Sequence, residues 1–220
     1  MTSNSTLRTM QLQRRALVML TIVAALVVSL APSRFIASAF ADEPMSVVKS
    51  TVDQALDVLR DRGTPLAQRQ DKLRQIVAAT FDFREMAKSA LGYHWKELSP
   101  AQQEEFTNAF VAFIEDSYLS KINDYSGQQV NFLRVTNDGP QYAQVSTDIV
   151  EPKGEPIHVN YRLLQENGTW RIYDVTVDAI SIIANYRNQF NRVMNSKGYA
   201  TLITDLKAKQ AALAASLANH

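Results

Sequence analysis

Residues 128–177 read QQVNFLRVTNDGPQYAQVSTDIVEPKGEPIHVNYRLLQENGTWRIYDVTV, and this stretch decides the fold. Three turn signals, Asp138-Gly139, Lys153-Gly154 and Asn167-Gly168, cut it into four runs rich in β-branched and aromatic residues. Dipeptides of this kind suit hairpin turns, whose central residues need positive φ. A four-stranded antiparallel meander is therefore predicted. Ala143, Val145, Thr147 and Ile149 share one face of the second strand, and Ile157, Val159, Tyr161 and Leu163 share one face of the third. The opposite face carries Gln144, Ser146, Asp148, His158, Asn160 and Arg162, so one side of the sheet is expected to be covered and the other wet.

On both sides of this stretch the apolar period changes to that of helices. Upstream, Val48, Val52, Ala55, Leu56 and Leu59 recur at helical spacing until Gly63-Thr64-Pro65 ends the run. A second helix follows with Leu66, Leu73, Ile76 and Val77 on one side, and a short one over Asp82 to Leu91 is closed by Gly92. Ser99-Pro100-Ala101-Gln102 combines an N-cap, a proline at the first helical position and a capping-box glutamine, predicting a long helix to about Asn123. Downstream, Ile183, Tyr186, Phe190, Val193 and Met194 form one stripe, Lys197-Gly198 closes it, and a last helix carries Leu202, Ile203 and Leu206. The alanine-rich end, 210–220, has little to bury and is expected to fray. Helices, strands, then helices make the class α+β.

Residues 1–41 read as a cleavable export signal. Arg8, Arg14 and Arg15 form a positive start, Ala16 to Leu30 is free of charge, and Ala39-Phe40-Ala41 supplies the small residues of a cleavage site. A run of this length falls short of the roughly 20 apolar residues of a spanning helix. Cleavage would leave Asp42 first, with 42–209 as the folded domain. Four of the 23 basic residues and none of the 22 acids lie in the signal, so the remainder holds 19 against 22, a net charge of −3. That balance offers no attraction to nucleic acid. With no cysteine, an exported domain must rely on an apolar core rather than on disulfides.

Phe81-Asp82-Phe83-Arg84-Glu85-Met86, the stretch Leu98-Ser99-Pro100-Ala101-Gln102-Gln103, and Trp170-Arg171-Ile172-Tyr173-Asp174-Val175 followed by Asp178, Ser181, Tyr186, Arg187 and Phe190 resemble the MlaC family, also labelled toluene-tolerance auxiliary proteins. The likeness runs over nearly the whole chain after the signal. It implies an NTF2-like fold with an apolar pocket, and a periplasmic phospholipid carrier of Gram-negative bacteria that helps to maintain outer-membrane lipid asymmetry. The implied partners are an outer-membrane lipoprotein complex and an inner-membrane ABC transporter with its substrate-binding subunit. A hopanoid-associated branch of the family also exists, and no residue here separates the two.

The resemblance, set on the predicted faces, marks lipid-binding candidates: Val145, Ile149, Val159, Tyr161 and Leu163 from the sheet, with Phe83, Met86, Phe110, Phe113, Ile183, Tyr186 and Phe190 from facing helices. Each is also an ordinary core residue by its spacing. Lys72, Arg84, Lys88 and Lys96 form a candidate basic fringe, or simply a solvated face. Catalysis has little support, since His94, His158 and His220 have no metal-ligand neighbour at useful spacing and no nucleophile elbow is present. Neither cofactor nor metal is expected. The competing reading is an NTF2-like periplasmic isomerase or hydrolase using His158 with Asp174 or Asp178; strand-end and cap roles explain those acids more simply.

Overall fold

A computed structural model describes residues 35–119, 125–150 and 155–218, with side chains from 43 to 217 within those spans. The apolar run of the signal, Ala16 to Leu30, and His220 lie outside the described residues. Helix α1 covers Phe35–Arg60, α2 Leu66–Thr80, α3 Phe83–Leu91 and α4 Pro100–Leu119, with a 3-10 segment at Gly92–Glu97. Strands β1 (Gln129–Asp138), β2 (Tyr142–Val150), β3 (Ile157–Glu166), β4 (Thr169–Val177) and β5 (Ile180–Ser181) follow, and α5 (Ile182–Ala218) closes the chain. From Ala41 onward the chain is one compact unit.

The helix ends form where their capping chemistry places them. The Ser99 hydroxyl accepts from the Gln102 N–H at 3.3 Å while Gln102 Oε1 accepts from the Ser99 N–H at 3.0 Å, the reciprocal pair that starts α4. Asp82 caps α3 by accepting from the Glu85 N–H at 2.9 Å. Gly92 ends α3 with φ of 60°, a backbone that a side chain would strain. Gly198 (φ 75°, ψ 179°) kinks α5 and separates two helical segments there, as Lys197-Gly198 suggested. Beyond the kink the helix continues to Ala218 through the stretch expected to fray, and Gln210 donates to Asp116 at 2.9 Å.

The sheet is antiparallel in the order β1-β2-β3-β4-β5, the predicted meander with a two-residue strand added at its edge. Asn167 and Gly168 both have positive φ, 51° and 79°, so β3 and β4 join through a turn whose twist matches theirs. The pairing shifts register between Phe132 and Arg134 in β1, leaving Leu133 exposed, and shifts again where Arg162 and Leu163 pair with Asp174 and Ile172. The second bulge leaves Tyr173 as the extra residue, so Val175 joins Ile172 on the sheet's apolar face while Tyr173 packs in the helical core.

Two cores result. One packs α3, α4 and α5 around Phe106, Phe110 and Phe190, whose rings meet at 5.5 to 5.6 Å. The other sets Val48 of α1 on Ala143, Val145, Leu163, Trp170 and Ile172 of the sheet. Phe81 packs against both. It is tied to β4 by the Asp82 N–H donating to the Ile172 carbonyl at 2.8 Å. The face expected to be wet is covered in part, since Ser146 and Asp174 on it are buried.

Candidate functional site

The seam between the two cores is not filled. A cavity of about 570 Å³ opens there, within the size range of small-molecule sites. Its floor is the far end of the sheet's apolar face: Val130, Ile149, Ile157 and Val175. Val130 pairs with Ile149 and Ile149 with Ile157, so neighbouring strands present one continuous surface. The walls are Leu56 and Leu59 of α1, Leu73 and Val77 of α2, Phe83 and Met86 of α3, and Ile114 and Leu119 of α4, with Phe81 and Ile182 completing them. The local reason is the reach of α1. Its Val48 end covers the near end of the sheet, while Leu56 and Leu59, about two to three turns on, stand over open space at the far end.

Five of the 19 lining residues are polar: Arg74, Glu115, Tyr118, Tyr125 and Gln128. Arg74 ties α2 to α4, donating to Asp116 at 3.1 Å with Glu115 at 3.9 Å, and reaches Asp71 in its own helix at 3.2 Å. Burial holds the Glu115 carboxyl above the usual carboxylate range, opposed by Arg74. Tyr118 is half exposed, and partial loss of solvent pushes its phenol up to about 12. One turn before Leu73 and Arg74, Arg69 and Gln70 are buried, and Arg69 Nε, Arg69 Nη1 and Gln70 Nε2 meet no acceptor. The cavity can thus take an apolar chain along its floor, with its polar groups gathered on α2, the end of α4 and the segment before β1.

Of the twelve sequence candidates, Phe83, Met86 and Ile149 line this cavity. Phe110, Ile183 and Phe190 are buried in the helical core, with Phe113 and Tyr186 packed on it. Val145 and Leu163 lie under Val48, Tyr161 packs beside them, and Val159 is buried in the ladder between Thr147 and Val177. Burial pushes the Tyr161 phenol up to about 12. Sequence reasoning passed over Leu56, Leu59, Leu73 and Val77 as lining, although the apolar stripes of α1 and α2 had already singled them out.

The residues considered for catalysis are engaged in structural contacts. Asp174 accepts from the Ser181 hydroxyl at 2.7 Å and from the Ile183 N–H at 3.2 Å, fixing the start of α5. His158 is exposed and pairs with Asp148 at 2.6 Å, while Asp178 accepts from the His158 N–H at 3.1 Å. His94 is buried between Glu97 at 2.7 Å and Asn191 at 3.1 Å. Of the basic fringe, Lys88 pairs with Glu85 at 2.7 Å and Arg84 lies over the Trp95 ring at 5.7 Å. Among the described residues, no group of three or more His, Asp or Glu side chains could hold a metal, and no helix is long and apolar enough to cross a membrane.

Comparison with known proteins gives one consistent answer. The profile of the MlaC protein family matches residues 49–208. The intermembrane phospholipid transport system binding protein MlaC of Haemophilus influenzae is 22% identical over 172 residues, 74% of this chain and 80% of that one. A toluene tolerance protein of Pseudomonas putida is 24% identical over 164 residues, 72% of this chain and 76% of that one. A phospholipid-binding protein from Ralstonia solanacearum, solved in complex with a phospholipid, superposes with a TM-score of 0.70 at 23% identity, covering 77% of this chain and 97% of that one. This last likeness bears out the α+β fold.

Proposed function

This chain belongs to the MlaC family, and from that premise we propose that it is a carrier of phospholipid across the aqueous periplasm, not an enzyme. The observation that carries the reading is the apolar cavity of about 570 Å³ between sheet and helices. A diacyl lipid has on the order of 30 methylene groups, each resisting water by about 0.8 kcal/mol, so its tails disfavour the aqueous phase by more than about 20 kcal/mol. Transit therefore needs a dry container. Apolar side chains on the floor and walls offer the tails surroundings much like the bilayer they leave, so loading and unloading lie near balance. Direction then has to come from the docking partners.

The finer assignments follow from the same reading. The export signal over 1–41 puts the mature chain, beginning at Asp42, in the Gram-negative periplasm. Its partners are an outer-membrane lipoprotein complex and an inner-membrane ABC transporter with its substrate-binding subunit, and its role is upkeep of outer-membrane lipid asymmetry. The cargo is phospholipid rather than a hopanoid-related lipid, because the relatives that resemble this chain are phospholipid proteins. The lipid-contacting set comprises Phe83, Met86 and Ile149 with Leu56, Leu59, Leu73, Val77 and Ile157.

A direct test incubates delipidated protein with vesicles of phosphatidylethanolamine and phosphatidylglycerol, re-isolates it by gel filtration and assays phosphorus. Intact phospholipid should co-elute with the protein. Phosphorus-free protein would contradict the carrier, and released lysolipid or fatty acid would turn the reading toward a hydrolase.

A further inference from the structure

A second concavity of about 540 Å³ lies beside the apolar cavity, walled by Arg60, Arg62, Tyr125, Ser126, Gly127 and Gln129. The two share Tyr125. They also meet along two further stretches of chain: Leu59 lines the cavity where Arg60 lines the cleft, and Gln128 and Val130 line the cavity on either side of Gln129. Along β1 this is the ordinary alternation of a strand, which sends successive side chains to opposite faces. An apolar chamber and a cationic cleft thus adjoin at Tyr125, beside β1, the edge strand of the sheet.

Among the described residues, the cations in the cleft are held in place with donors to spare. Arg60 Nε donates to the Tyr125 hydroxyl at 3.3 Å, and Arg62 Nη2 donates to the Tyr125 carbonyl. Each guanidinium has five N–H donors in a rigid fork. Arg62 uses one, and Arg60 uses one more on Asp57 at 3.5 Å. Asp61, next to Arg60 in sequence, is turned back into the α1–α2 loop by the Gly63 and Thr64 N–H groups and the Thr64 hydroxyl. The hydrogen bonds to Tyr125 anchor both forks next to the residue that also walls the cavity.

We infer that this cleft seats the phosphodiester anion of a phospholipid whose tails occupy the apolar cavity, with Arg60 and Arg62 as its ligands. The inference rests on the carrier reading and gives it selectivity. Two anchored guanidinium forks match the unesterified oxygens of a phosphodiester. A neutral diacylglycerol with the same tails offers no anion to them.

The experiment compares dioctanoylphosphatidylglycerol with dioctanoylglycerol by isothermal titration calorimetry on the delipidated protein and on the Arg60→Gln/Arg62→Gln double variant. Both positions are on the exterior, and an unchanged melting curve confirms that the variant is folded. The wild type should bind the phosphate lipid about tenfold tighter than the neutral one. The variant should lose that preference and keep its affinity for dioctanoylglycerol. A variant that keeps the preference would overturn the cleft assignment while leaving the carrier intact. Absence of binding by either lipid to the wild type would overturn the carrier reading and the inference with it. Glycerol 3-phosphate alone should bind too weakly to measure; binding as tight as that of the phosphate lipid would assign the cleft to a free phosphate ester and refute the headgroup role.

Discussion

Replacing Ile149 with tryptophan separates a ligand cavity from ordinary core. Ile149 lines the cavity between Val130 and Ile157, its partners in the adjacent strands. If the indole displaces about three methylene groups of lipid at about 0.8 kcal/mol each, binding weakens by about 2.4 kcal/mol, or about 50-fold in Kd. The ring enters space that is empty without lipid, so melting of the delipidated variant should stay within about 2 °C of wild type. Val145→Trp is the control: Val145 is fully buried beneath α1, on the same face of the same strand. Overpacking there costs about 1–3 kcal/mol, and at about 2–4 °C per kcal/mol for a domain of this size Tm falls by about 2–12 °C. The assays are calorimetric melting after delipidation and phosphorus per protein after reloading. The reasoning is refuted if Ile149→Trp melts as low as Val145→Trp yet reloads fully, because that site would then be close-packed core.

Asp174→Ala strips the buried acceptor from the Ser181 hydroxyl and the Ile183 N–H. A loss of about 2–4 kcal/mol, seen as a Tm lower by about 5–15 °C, is expected with lipid binding retained in the folded fraction; a stable variant that cannot load lipid would give Asp174 a functional role. Arg69→Met removes a buried cation with two nitrogens lacking an acceptor. It should therefore raise Tm by about 2–8 °C, and a fall would mean that Arg69 has a partner in solution. The hydrogen bond to Asp148, and then its charge, raise the pKa of His158 above the ordinary value. A raised folded-state pKa adds stability that is fully present below the unfolded value of about 6.5 and is lost as pH rises through the folded value. The Tm advantage of wild type over His158→Gln should be present near about pH 5.5 and gone by about pH 8; an advantage that grows with pH would reverse the assignment.

The elements were legible because their signals are local. Asn167-Gly168 turns with two positive φ values, Ser99 and Gln102 cap α4 reciprocally, and Gly92 ends α3. The cavity was not, because it depends on what covers the sheet rather than on the sheet itself. Val145 and Ile149 have the same period and the same chemistry, yet the former lies under Val48 and the latter faces open space. Only the path of α1 across the strands distinguishes them, and no spacing in either segment encodes that path. The spacing of Leu73 and Val77 in α2 reads as a helix's buried stripe, which a cavity wall resembles when seen from one side only. The bulge at Tyr173 that returns Val175 to the face of Ile172 is equally silent, since Trp170 to Val175 reads as an uninterrupted strand. The two cores nevertheless drew on the apolar faces the pattern had marked, which is why nine of the twelve candidates are packed around the chamber instead of lining it.

The central claim, that the chamber carries phospholipid in the cell, is tested most directly by the cargo of the protein itself. Protein isolated from the envelope fraction without detergent, extracted with organic solvent and analysed by mass spectrometry, should yield intact diacyl phospholipid. Its amount should fall sharply in Ile149→Trp purified in the same way. Protein from that fraction that is free of lipid, or that yields a hopanoid-related lipid in place of phospholipid, would contradict the account.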